Sequence, residues 1–105
     1  MAIGERLDLI KSFQGVFDAA AKERKKRQEM VPDPLEPDWK VFGWQLHERE
    51  QMHAAVNAER ARRGLPPADI TAIRRADGLA AGHVDYATKF PLYCAEVALG
   101  ETPRP

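Results

Sequence analysis

The apolar positions of this chain fall into three stretches with helical spacing. Ile3, Leu7, Ile10, Phe13, Phe17 and Ala20 recur every three or four residues, which lines them along one face of a helix predicted over about residues 3–30. Asp8 near its start and Lys25, Lys26 and Arg27 near its end suit the helix dipole. The stripe fades after Ala21, so the last turns are expected to be solvated or docked on something outside the chain.

The next stretch, VPDPLEPDW at 31–39, carries Pro32, Pro34 and Pro37. Each proline lacks an amide donor and biases its predecessor toward extended geometry, which predicts a stiff, non-helical connector. Asp38 is the expected N-cap of a second helix over Trp39–Arg63. Phe42, Leu46, His53 and Val56 form its stripe, Met52 and Ala55 widen it, and Arg49 interrupts it or snorkels at its edge. Gly64 followed by Leu65-Pro66-Pro67 stops that helix.

A third stretch begins at Asp69 or Ile70 and runs to Gly100. Ile70, Ile73, Ala80, Val84, Ala87, Cys94 and Ala98 share one stripe. Leu79, His83, Tyr86, Phe90, Tyr93 and Val97 share its neighbour. Pro91 removes the hydrogen bond to the carbonyl of Ala87, which predicts a kink or split near Lys89. No stretch alternates with strand periodicity for long enough to predict a sheet. The expected fold is all-α: one domain over 1–100, a bundle of three main helices with a Pro-rich connector between the first two, and a flexible tail at 101–105.

Composition narrows the class of protein. With 44% apolar and 30% charged residues the chain has enough apolar surface to fold. A formal net charge of zero argues against a protein made wholly for polyanions. The single cysteine, Cys94, forms no intramolecular disulfide and no thiolate zinc cluster; among Leu92, Tyr93, Ala95 and Val97 it reads as a small buried hydrophobe. The N-terminus lacks the basic end and apolar run of a signal peptide, and no stretch reaches the ~20 apolar residues of a membrane span. A cytoplasmic location, or one inside an assembly made there, is expected.

Candidate chemistry is sparse. His47, Glu50 and His53 are three residues apart on the second helix, and Glu50-Gln51-Met52-His53 has the E-x-x-H spacing of carboxylate-bridged metal bundles. No second copy of that motif is present, and the two histidines are six apart rather than four, so neither a di-iron nor an H-E-x-x-H zinc site is completed. His83, beside Asp85 and Tyr86, has no serine nucleophile to serve, since the only serine is Ser12; a buried histidine satisfied by a carbonyl or carboxylate is expected. No catalytic residue, cofactor site or metal site is assigned.

Two surfaces suggest binding instead. KERKKR supplies Lys22, Arg24, Lys25, Lys26 and Arg27, a basic run that would contact phosphates in a nucleic-acid-binding regulator, though the acidic connector 29–38 follows at once. Trp39, Phe42 and Trp44 do not share one helical face. Gly78-Leu-Ala-Ala-Gly82 makes one side of the third helix smooth, which points to close approach by another backbone, in this chain or from a partner.

Residues 52–70, MHAAVNAERARRGLPPADI, resemble the opening helix and turn of bacterial secreted domains of the CAP (cysteine-rich secretory, pathogenesis-related) superfamily. The resemblance covers under a fifth of the chain, and the remainder departs from that family, so no functional residue is carried over. The sequence therefore predicts a non-enzymatic interaction or assembly protein, either a homo-oligomer or a small subunit docked on a larger bacterial or viral assembly. Its partner-binding residues are expected to be Trp39, Phe42, Trp44, Gly78, Gly82 and Tyr86.

Overall fold

The structure, a computed structural model, describes residues 3–101. Helix α1 (Ile3–Ala21) is followed by strands β1 (Met30–Asp33) and β2 (Glu36–Phe42), then by helices α2 (Gly43–Arg62), α3 (Ile70–Ala81) and α4 (Tyr86–Ala98). The protein is mostly helical, but among the described residues four helices and a small antiparallel hairpin replace the expected three-helix bundle.

The first correction concerns the connector. Residues 22–29, expected in α1, form turns and irregular chain, and the proline-rich stretch pairs with itself as β1 and β2. A two-stranded ribbon consists only of edge strands, so a missing proline amide can face outward without breaking the ladder. Met30, Val31 and Pro32 oppose Phe42, Val41 and Lys40, but Asp33 opposes Glu36. Residues 37–39 therefore bulge out of the register, and the bulge leaves Trp39 exposed. The Asp33 carboxylate closes the turn by accepting from the Leu35 amide at 2.9 Å.

Helix α2 starts at Gly43 rather than Trp39, and Asp38 lies in β2 instead of capping the helix. The first amides find backbone acceptors: Gly43 N–H donates to Glu29 O and Trp44 N–H to Arg27 O, both at 2.9 Å. Gln45 Oε1 accepts from the Phe42 amide at 2.8 Å, one half of a capping box. A Cβ at Gly43 would push the Glu29 carboxylate aside, while the nearest backbone atom, Arg27 O, would lie 3.4 Å away. At the other end α2 stops as predicted. Gly64 takes φ +72°, and the Leu65 amide reaches back to Arg60 O at 2.9 Å.

The second correction concerns the third stretch. It splits at Gly82–Asp85, not at Lys89, and the two pieces pack on one another as α3 and α4. Asp69 caps α3 by accepting from the Ala72 amide. Pro91 sits inside α4; the carbonyl it leaves without a donor belongs to Ala87, an exposed residue that water can reach. Val84, expected on the apolar stripe, is fully exposed in the turn.

The core is built from Phe13 and Phe17 of α1, Met52 and Val56 of α2, Ile73, Ala76 and Ala80 of α3, and Phe90, Cys94 and Val97 of α4. Leu9, not Leu7, extends it along α1; Leu7 is exposed. Phe17 meets Phe90 edge-on at 5.7 Å between centroids and Tyr86 at 5.8 Å. Cys94 is buried, which pushes its thiol well above the ordinary range. No helix among the described residues is long and apolar enough to cross a membrane. Of the expected flexible tail, 101–105, only Glu101 falls within the described residues, where it accepts from Arg6 at 2.7 Å; the rest lies outside them.

Candidate functional site

A groove of about 300 Å³ opens between the hairpin, α2 and α3. Val41 of β2 and Trp44, Gln45 and Arg49 of α2 form one wall. Arg74, Asp77, Gly78 and Ala81 of α3 form the other, and Tyr86 of α4 closes the end. Three predicted partner-binding residues, Trp44, Gly78 and Tyr86, are thus brought together from three helices.

Buried charge supports the groove from behind. Asp33, fully buried at the end of β1, takes a bidentate contact from Arg49: Nη1 to Oδ1 at 2.9 Å and Nη2 to Oδ2 at 3.1 Å. That guanidinium holds the Asp33 carboxyl below its usual range, and Asp33 in turn fastens the hairpin to α2. Arg49 therefore does not snorkel; it interrupts the apolar stripe as a buried charge, 3% exposed and paired.

One residue earlier, the buried Glu48 accepts from Arg24 Nε at 2.6 Å and Nη2 at 3.2 Å. Burial pushes the Glu48 carboxyl up despite the pull of Arg24. The Arg24 guanidinium also lies 4.7 Å from the Trp44 ring centre and 5.6 Å from that of Phe17. A third contact joins the far end, where the Tyr86 hydroxyl donates to Asp77. Burial first, and then the Asp77 charge, pushes the Tyr86 hydroxyl far upward, so it stays a protonated donor.

The other predicted residues do not line this cavity. Trp39 is 67% exposed on the bulge of β2. Phe42, 39% exposed, stacks on Trp44 with ring centres 5.6 Å apart and an interplanar angle of 11°. Gly82 ends α3 outside the groove lining. Among the described residues no backbone approaches the two glycines closely, although Ala76 and Ala80 beside them are buried in the core. A Cβ at Gly78 would meet only Arg74 Nη1, at 3.1 Å, and one at Gly82 only Leu79 O, at 4.0 Å.

In the basic run, Arg24 is spent on Glu48, while Lys26 and Arg27 lie 3.8 and 3.9 Å from Glu23. Lys22 and Lys25 are exposed, and the run sits in turns beyond the end of α1. His53 turns to the α2–α3 linker, where its Nε2 is 3.1 Å from Ala68 O and 3.0 Å from Asn57 Nδ2, while Glu50 is exposed. His47, Glu50 and His53 are not gathered, and no group of three metal-ligating side chains is present among the described residues. His83 meets the Tyr93 hydroxyl at 3.0 Å rather than a carbonyl or carboxylate.

Sequence reasoning missed Asp33, Glu48, Arg74 and Asp77. The available signal was the adjacent pair Glu48-Arg49 on a stripe otherwise apolar, since charged residues at core positions imply buried partners. Compared with family models, curated proteins and solved structures, the chain matches none.

Proposed function

We propose that this protein is a non-enzymatic binding module that docks on a protein partner, or on a second copy of itself, through the exposed hairpin aromatics and the groove beside them. One observation carries the reading: Phe42, exposed on β2, stacks on Trp44, which walls a concave site together with Gly78 and Tyr86, and Trp39 stands exposed on the same strand. Large aromatics beside a preformed pocket are the usual anatomy of an interface anchor, and a solitary monomer gains nothing from wetting them. The buried Asp33–Arg49 pair supports the same reading, because it holds the hairpin against α2 and so pre-organises the surface. A small subunit of a larger bacterial or viral assembly, acting in the cytoplasm or inside a particle made there, suits such a surface.

The test compares wild type with the double variant Trp39→Ser/Phe42→Ser, both side chains being surface groups whose loss spares the core. Light scattering gives the mass of each, and tagged capture with mass spectrometry gives what each retains. Wild type is expected to self-associate or to hold a defined partner that the variant loses. A monomeric wild type with the same captured proteins as the variant would overturn the reading.

A further inference from the structure

We propose that Glu48 and Arg24 form an acid-sensitive latch on the docking surface: a proton on Glu48 frees Arg24, and the turn after α1 and the Trp44–Phe42 stack loosen together. The effect on association rests on the docking reading; the latch itself does not. The pair is asymmetric. Glu48 is 1% exposed on a helix and has nowhere to go, whereas the Arg24 side chain is 41% exposed and stands in the turns beyond α1. Among the described residues it is this ion pair that joins the turn to α2, since Lys26 and Arg27 reach Glu23 within the turn itself. The group that leaves also belongs to the aromatic surface. Arg24 lies 4.7 Å from the Trp44 ring centre, and Phe42 stacks on the same ring at 5.6 Å.

The charges around Glu48 set the sign. Arg24 Nε and Nη2, at 2.6 and 3.2 Å, favour the charged carboxylate, and His47 beside it on α2 pulls the same way. Asp77 of α3 pushes toward protonation, Tyr86 of α4 keeps its proton and adds no charge, and Asp33 of the hairpin is matched by Arg49. Helix α1 presents the apolar Phe17 ring, 5.6 Å from the guanidinium. Burial outweighs Arg24 and pushes the carboxyl up, so Glu48 takes its proton above pH 4.5. With Arg24 gone, the buried carboxyl would hold that proton more tightly still, so by reciprocity the proton favours release. A protonated carboxyl offers Arg24 a neutral acceptor in place of a charged one, and a half-exposed guanidinium loses little on returning to water. The hairpin stays fastened meanwhile, because Arg49 holds the Asp33 carboxyl below 3.8.

The test follows the full chain by NMR from neutral pH to about pH 4.5. The Glu48 carboxyl carbon reports the proton, the Arg24 Nε–H its protection against exchange after correction for intrinsic pH dependence, and the Trp44 indole the stack. Wild type is expected to show one titration shared by all three signals, with Arg24 protection falling about tenfold or more on the acid side. Glu48→Gln mimics the protonated carboxyl, so its Arg24 should already be unprotected at neutral pH and show no titration. His47→Gln should keep the shared titration. Absence of a Glu48 titration above pH 4.5, a titration that leaves Arg24 protection unchanged, or a release that disappears in His47→Gln would each overturn the latch. Association of wild type, read by light scattering and capture, should weaken over the same pH range, and Glu48→Gln should associate more weakly at neutral pH. If the NMR signals respond while association holds steady, the control of docking is overturned. If association occurs at no pH, the docking reading fails and the NMR signals alone decide the latch.

Discussion

Replacing Asp33 with asparagine keeps the size of the side chain and removes its charge, which leaves Arg49 buried at 3% exposure without a counter-ion. The wild-type contact is bidentate and dry, with Nη–Oδ distances of 2.9 and 3.1 Å. Breaking such a pair from one side costs about 3–5 kcal/mol, against about 1 kcal/mol or less for an exposed pair. A chain this size has roughly 5–15 kcal/mol in total, so Asp33→Asn should lose a large fraction of its stability. In urea, at a slope of about 1.5 kcal/mol/M, the midpoint falls by about 2–3 M. Far-ultraviolet circular dichroism follows the transition. The companion variant removes both charges, Asp33→Leu with Arg49→Met, and should recover most of the loss, because apolar replacement of a whole buried pair is close to neutral. A shift of less than about 0.5 M for Asp33→Asn would place the pair among surface contacts. The claim that it anchors the hairpin to α2 would then fail.

Two further outcomes follow from the same geometry. Stability against pH should carry two opposed features. Glu48 has its folded pKa raised above the ordinary 4.5, so as pH falls through that folded value toward 4.5 the protein gains stability, and Glu48→Gln abolishes the gain. Asp33 has its folded pKa lowered below 3.8, so its contribution is complete above 3.8 and is lost as pH falls through the folded value; Asp33→Asn flattens that acid limb in urea melts run pH by pH. Asn57 grips both sides of Ala68, accepting from its amide at 2.8 Å and donating to its carbonyl at 3.1 Å. Asn57→Ala should therefore cost about 1–3 kcal/mol and speed hydrogen exchange at the Ala68 amide, and unchanged exchange there would contradict the contact.

Helical periodicity made much of the fold legible. The stop at Gly64, the start at Asp69 and the end at Gly100 follow from residues with strong local conformational demands, and Gly64 and Gly100 do take positive φ. The hairpin was not legible because its pairing is brief and its prolines read as a connector. Only Val31, Val41 and the aromatics near them carry strand preference, and the three-residue bulge hides the register. Trp39 to Phe42 also fits a helical stripe, and what decides against the helix is the carbonyls of Arg27 and Glu29, which cap α2 four residues later. The split at Gly82 rather than Lys89 shows a weak helix-forming run outcompeting a proline whose lost acceptor faces water. In the site, Trp44, Gly78 and Tyr86 could be picked out singly by composition. Their meeting could not, because it depends on how α2, α3 and α4 pack on one another, which no local pattern states.

The central claim is that the Trp39–Phe42 face is covered when the protein is at work. Hydroxyl-radical footprinting in the producing cell and on the dilute purified chain tests it directly, with Leu7 and Val84 as exposed apolar residues elsewhere on the surface. The account predicts that Trp39 and Phe42 lose reactivity in the cell while Leu7 and Val84 keep theirs. Equal reactivity of Trp39 and Phe42 in both settings would contradict it.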